Sequence, residues 1–121
     1  KKEPLGMVRG FERFCADFQF ENQILQSFAT HQPEKSTVYI IPDDRDLVDV
    51  VEKTQQLGWK IGSDVGIISY NDTPLKKVVA NGITTISTDF AAMGQRLATL
   101  VWEQQRVLEE NPSRLILRHS L

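Results

Sequence analysis

The chain has 121 residues, 40% of them hydrophobic and 25% charged, which suits one globular domain with a single core. A formal net charge of −2 leaves no basic footprint for nucleic acid, and the densest basic pair, Lys76-Lys77, reads as a solvated helix face. One cysteine, Cys15, excludes an internal disulfide and fits a reducing, cytoplasmic compartment.

Met7 to Phe18 places Met7, Val8, Phe11, Phe14, Cys15 and Phe18 at steps of three and four, which predicts an amphipathic helix. Ile24, Leu25 and Phe28 suggest a second, shorter helix over 21–29, and Pro33 breaks the polar loop that follows. Val38-Tyr39-Ile40-Ile41 is a continuous apolar run, read as a strand buried on both faces and ended by Pro42. Asp46 to Leu57 predicts a helix with acids at its start and Gly58 as its stop. A strand over 65–69, a short helix over 74–79 and a strand over 83–87 come next. A long helix is expected from about Phe90 to Glu110, with Met93, Leu97, Leu100, Val101 and Leu108 as its apolar stripe. Leu115-Ile116-Leu117 reads as a last strand at a sheet edge. This alternation predicts an α/β fold, and nothing in the chain repeats.

Each predicted parallel strand runs into small polar residues: Asp43-Asp44, Ser69-Tyr70-Asn71-Asp72 and Ser87-Thr88-Asp89. In open α/β sheets ligands bind outside the carboxyl ends of the strands, so Asp43 and Asn71 are candidate ligand residues. Their plainer readings are a helix cap for Asp43 and a turn for Asn71. An acidic pair after a strand also fits a phospho-receiver domain, but the third aspartate and the lysine that such a site needs are not present in order. His31, His119 and Cys15 lack metal-ligand spacing, no nucleophile elbow is present, and no cofactor or metal is expected. Cys15 reads as a small buried hydrophobe, and Trp59 and Trp102 as packing residues. No stretch reaches the roughly 20 apolar residues that span a bilayer.

The residues Asp64-Val65-Gly66-Ile67-Ile68-Ser69-Tyr70-Asn71-Asp72, then Thr84-Thr85-Ile86, then Met93-Gly94, resemble in order and spacing the effector-sensing domain of the lactose-repressor and galactose-repressor family. Arg9-Gly10-Phe11, Tyr39 to Asp44 and Leu115 to Ser120 extend that resemblance over nearly the whole chain. It implies a periplasmic-binding-protein type I lobe: a three-layer, Rossmann-like (flavodoxin-like) parallel sheet with helices on both faces. Residues 1–121 then form a single domain, the C-terminal lobe of a two-lobed sensor, cut from a longer protein because it starts Lys1-Lys2-Glu3-Pro4 without Met. The shortened region before Val38 and the version Ser69-Tyr70-Asn71-Asp72-Thr73-Pro74 are also similar to sensors fused to winged-helix headers of the GntR type.

By the same resemblance, the effector-holding positions of this lobe fall on Asp43, Asn71 and Met7, and Phe90 matches an aromatic that walls one side of a sugar pocket. The family carries Asn, Asp and Arg at the first three, so all three depart from it. Asp43 only accepts when ionised, whereas Asn71 both donates and accepts. The implied function is a transcription regulator, not an enzyme, that binds a sugar-like effector, pairs as a homodimer and reaches DNA only through a separate header. Val48, Val51, Glu52, Leu75 and Val79 are the candidate dimer residues. A solute-binding protein of a transporter shares the fold and is the competing reading.

Overall fold

The computed structural model describes residues 5–121. They form two units, one ending at His31 and one spanning Gln32–Leu121.

The first unit is built on helix α1 (Leu5–Asp17). The helix stops where Gln19 turns left-handed, with φ 57°. The Phe20 N–H then donates to the Cys15 carbonyl at 2.9 Å and the Gln19 N–H to that of Ala16, which closes the last turn in the Schellman pattern. Phe14 sits against Phe18 and Phe20, with ring centroids 4.9 and 5.8 Å apart, and Cys15 is buried as expected. The second helix expected over 21–29 does not form, and the backbone there is irregular. The segment is shorter than the ~12–15 residues at which an isolated helix becomes marginally stable. Phe28 is buried whereas Ile24 is half exposed, so no continuous apolar stripe is drawn inward.

The second unit holds one four-stranded sheet in the order β1 (Thr37–Ile41), β2 (Val65–Tyr70), β3 (Thr84–Thr88), β4 (Ser113–Ile116). β1, β2 and β3 are parallel, with Ile41 opposite Ser69 and Tyr70 opposite Ile86. β4 runs antiparallel to β3, with Thr88 opposite Ser113, so the sheet is mixed rather than wholly parallel. β1 is an edge strand, not one buried on both faces. Ile41 is buried, but Val38 and Ile40 are 52% and 41% exposed. β2 shows the alternation of a half-covered strand, with Val65, Ile67 and Ser69 buried.

Helix α2 (Asp44–Gln56) makes the crossover from β1 to β2. Its buried residues, Leu47, Val50, Val51 and Thr54, recur every three or four positions and so lie on one face. Gly58, at φ 72°, ends it, and the Trp59 N–H reaches back to the Thr54 carbonyl at 3.2 Å. The expected helix over 74–79 is a pair of 3-10 turns, Leu75–Lys77 and Val79–Asn81.

Helix α3 (Phe90–Trp102) is shorter than expected. The chain must return to its start, because the Asp89 N–H donates to the Pro112 carbonyl at 2.9 Å and the Asn111 side chain donates to the Asp89 carbonyl at 3.1 Å. A helix continued to Glu110 would carry Asn111 roughly 30 Å from Asp89 at 1.5 Å per residue. The turn comes at Gln104, φ 55°, and an Arg96–Glu109 ion pair ties the returning segment to the helix. None of the residues of α3 is fully buried. Leu97 is half exposed and Trp102 is 88% exposed, so neither the apolar stripe nor Trp102 has the packing role expected of it.

The C-terminal residues cross back under β2 and β3. The β2–β3 ladder starts at Ile68–Thr84, and Ser120 fills the gap before it. Its Oγ donates to the Ile67 carbonyl at 2.6 Å and accepts from the Thr84 N–H at 2.8 Å. Its backbone carbonyl accepts from the Ile67 N–H, and its own N–H donates to the Gly82 carbonyl. Gly62, φ 97°, lets the tail pass, since a Cβ there would sit 2.1 Å from the His119 carbonyl oxygen. Ser120→Ala leaves a buried N–H and a buried carbonyl without the hydroxyl. Urea unfolding should show a loss of about 2–3 kcal/mol, and a loss under ~0.5 kcal/mol would deny the clasp its role.

Candidate functional site

Three adjacent parallel strands deliver polar groups to one end of the sheet: Asp43 after β1, Asn71 after β2, and Asp89 with Phe90 after β3. At a strand spacing of about 4.8 Å, the outer two of these stand roughly 10 Å apart, the breadth of a small polar molecule.

Asp43 is the N-cap of α2. Its Oδ1 accepts from the Arg45 N–H at 2.8 Å and the Asp46 N–H at 3.3 Å, so its plainer reading is realised. Asp89 caps α3 in the same way, accepting from the Ala92 N–H at 3.0 Å. Phe90 is the first residue of α3 and half exposed. Asn71 is exposed and left-handed, with φ 61°, a conformation that Asn adopts more readily than most residues. Its N–H is tied to the Ile86 carbonyl at 2.8 Å, so β3 fixes the backbone from which the amide projects. Met7 lies on α1 in the first unit.

Among the expected dimer residues, Val48, Glu52 and Leu75 are exposed, Val79 is half-buried, and Val51 is buried with the core.

Two charge pairs that sequence reasoning did not find hold the end of β2. Asp72 and Arg118, 46 residues apart, form a two-pronged ion pair at 2.6 and 2.9 Å with both side chains mostly buried. Arg118 also donates to the Ile83 carbonyl, and the Asp72 N–H donates to the Ser87 Oγ at 2.9 Å. The second is Lys76, 4% exposed and not a solvated face residue. Its Nζ donates to the carbonyls of Tyr70 (2.8 Å) and Asn71 (2.9 Å) and lies 3.0 Å from the Asp44 carboxylate. A lysine beside an exposed lysine carries no periodic signal of burial. Arg118 sits in a terminal motif that matched the repressor pattern but gave no hint of its partner.

The arrangement can accept and donate hydrogen bonds to a ligand, while no group of three or more His, Cys, Asp or Glu placed to hold a metal occurs among the described residues. Two surface depressions lie elsewhere, one along α3 and one of about 150 Å³ lined by Ser36, Ser63 and Gly66. The open strand ends form one wall only.

The hydrogen bonds and charge of Arg118 hold the Asp72 carboxyl below its ordinary value of 3.8, and Asp72 in turn raises Arg118. A depressed carboxyl stabilises the fold above its unfolded value, and the gain is lost as pH falls through the folded one. Acid unfolding should therefore steepen below about pH 4. Asp72→Asn should unfold more easily at neutral pH, by about 2 kcal/mol, and lose that steepening. Parallel stability–pH curves for the two proteins would contradict the pairing.

Residues 9–121 match the family of periplasmic binding protein-like domains. The chain is 29% identical, over 90 residues, to the HTH-type transcriptional regulator KdgR of Bacillus subtilis (strain 168), a match that covers 74% of this chain and 26% of that protein. Its fold is similar to the Lac repressor bound to ONPG in the repressed state (TM-score 0.65, 20% identity, 94% of this chain and 40% of that one). It is also similar to the Escherichia coli transcriptional repressor ascG (TM-score 0.69, 11% identity, 94% of this chain and 49% of that one). The chain thus spans about a quarter of its curated relative and less than half of these two structures. With a family match across nearly its whole length, and the repressor-like motifs carried on the fold they imply, the chain belongs to the periplasmic binding protein-like domain family.

Proposed function

We propose that this chain is the C-terminal lobe of a two-lobed effector sensor in a cytoplasmic transcription regulator. The observation that carries this reading is the line of Asp43, Asn71 and Asp89–Phe90 at the carboxyl ends of three neighbouring parallel strands. Carboxylate acceptors flanking an amide that donates and accepts suit a ligand rich in hydroxyl groups, and a half-exposed ring suits the apolar face of a sugar. One open wall is half of a cleft, so a second lobe completes it on closure. The effector acts by binding the closed arrangement better than the open one, and a ligand indifferent to the two would shift nothing. DNA contact falls to a header elsewhere in the parent protein. The relation to a helix-turn-helix regulator favours this over a transporter's solute-binding protein, and favours a binding module over an enzyme.

The same reading makes the parent a homodimer. Val48 on α2 and Leu75 after β2, 54% and 72% exposed, are apolar groups for a partner to cover, with Glu52 and Val79 beside them in sequence. Leu75→Asp should move the sedimentation of the full-length parent toward the monomer, and an unchanged boundary would remove this face from the interface.

The ligand site is tested by thermal shift of the full-length parent against neutral sugars, sugar phosphates, sugar acids and purines. Asn71→Gly is the chosen variant because glycine keeps the left-handed backbone and removes only the amide. A sugar-class compound should raise the wild-type midpoint and bind the variant at least tenfold more weakly, a loss of about 1.4 kcal/mol. A ligand that ignores Asn71→Gly would displace the site from these strand ends.

A further inference from the structure

Two of the candidate ligand residues, Asp43 and Asn71, stand on different strand ends 28 positions apart, with one buried ammonium linking these ends. Lys76 is 4% exposed, and its Nζ lies within 3.0 Å of three protein oxygens. Two are the carbonyls of Tyr70 and Asn71, at 2.8 and 2.9 Å, where the chain leaves β2 and turns left-handed. The third is the Asp44 carboxylate, at 3.0 Å, directly after Asp43 in the first turn of α2. The ammonium is thus turned to protein oxygens rather than to the crevice. Lys77, next in sequence, is exposed and makes none of these contacts.

We infer that Lys76 is a positioning residue that couples the end of β1 to the end of β2, so that Asp43 and Asn71 keep one fixed spacing across the crevice. The inference rests on the reading of these strand ends as the effector site and adds to it the part that sets the site's width. The chain of contacts is short: Asp43 to Asp44 through the backbone, Asp44 to Nζ, Nζ to the Asn71 carbonyl. The Asp44 carboxylate is three-quarters exposed, so this arm is held by Lys76 from inside the protein rather than by burial of the acid. Breaking either arm frees the residues beyond the last β1–β2 pair, Ile41–Ser69, while the two ladders, the Ser69 hydroxyl on the Ile41 carbonyl and the Ser120 clasp still hold the sheet.

The test is amide hydrogen exchange, followed by mass spectrometry, on the ligand-free full-length parent. Lys76→Met keeps the apolar stem and removes the ammonium. It should speed exchange at least tenfold in segments 43–47 and 70–73 together, with amides of the β2 interior such as Ile67 unchanged. A residue needed only for general stability would loosen Ile67 as well. Lys77→Met should change neither segment. Asp44→Asn removes the charge from a single arm at an exposed side chain, and should speed exchange in segment 70–73, which Asp44 does not belong to, by about threefold. Wild-type exchange in either segment of folded Lys76→Met, loss of Ile67 protection to the same degree, or an unmoved segment 70–73 in Asp44→Asn would overturn the coupling. If Lys76→Met does not fold, Asp44→Asn decides alone. Because no ligand is present, a failure here refutes the coupling and leaves the site, whereas a failed ligand screen refutes the site and leaves the coupling.

Discussion

The carboxyl end of this sheet depends on how β2 and β3 are kept side by side. Their own ladder is short, with three paired positions from Ile68–Thr84 to Tyr70–Ile86. The C-terminal residues complete it. Ser120 bonds to Ile67 on one side and to Gly82 and Thr84 on the other, acting as the missing rung. Arg118 continues upward along β3, from the Ile83 carbonyl to the Asp72 carboxylate. The last four residues therefore join the base of the two strands to the loop where β2 ends. A buried N–H or carbonyl without a partner costs far more than a satisfied one gains, which is why a short tail can fix a register.

The same logic explains the charges. Asp44, Asp72 and two helix caps gather at one end of the sheet, and like charges so close would repel. Each is answered locally: Asp44 by Lys76, Asp72 by Arg118, Asp43 and Asp89 by helix N–H groups. The groups tied up in ion pairs hold the loops in place. Of the candidate ligand groups, the amide of Asn71 and the ring of Phe90 are neutral and exposed, beside the capping carboxylates of Asp43 and Asp89. Such a set of groups suits the proposed polyhydroxyl effector, which hydrogen-bonds through its hydroxyls.

Much of this was legible in the sequence because it is local. β-branched runs bounded by Gly, Pro and Asp marked the three parallel strands, and acids followed by a Gly58 stop marked α2. The repressor-like motifs added the order of the strand ends. What escaped depends on distant partners. Four apolar residues in a row predict a β1 buried on both faces, but Val38 and Ile40 share a face that is left exposed and only Ile41 is buried on the other. Composition alone carries α3 to Glu110, whereas the hydrogen bonds between Asp89 and residues 111–112 require the chain to turn back. The irregular 21–29 segment had helical spacing but too little length. Lys76 and Arg118 were invisible for the same reason: a buried cation is recognised by its acceptors, which lie on other elements.

The central claim is that the carboxyl ends of β1, β2 and β3 are the effector wall. It is tested most directly by hydrogen exchange on the full-length parent, with and without the sugar-class compound that raises its unfolding midpoint. Protection is expected at 43–46, 71–73 and 89–92, three segments separated in sequence and joined only at this end of the sheet. Protection that spares all three, or that gathers at the opposite end around Ser36, Ser63 and Gly66, would contradict it.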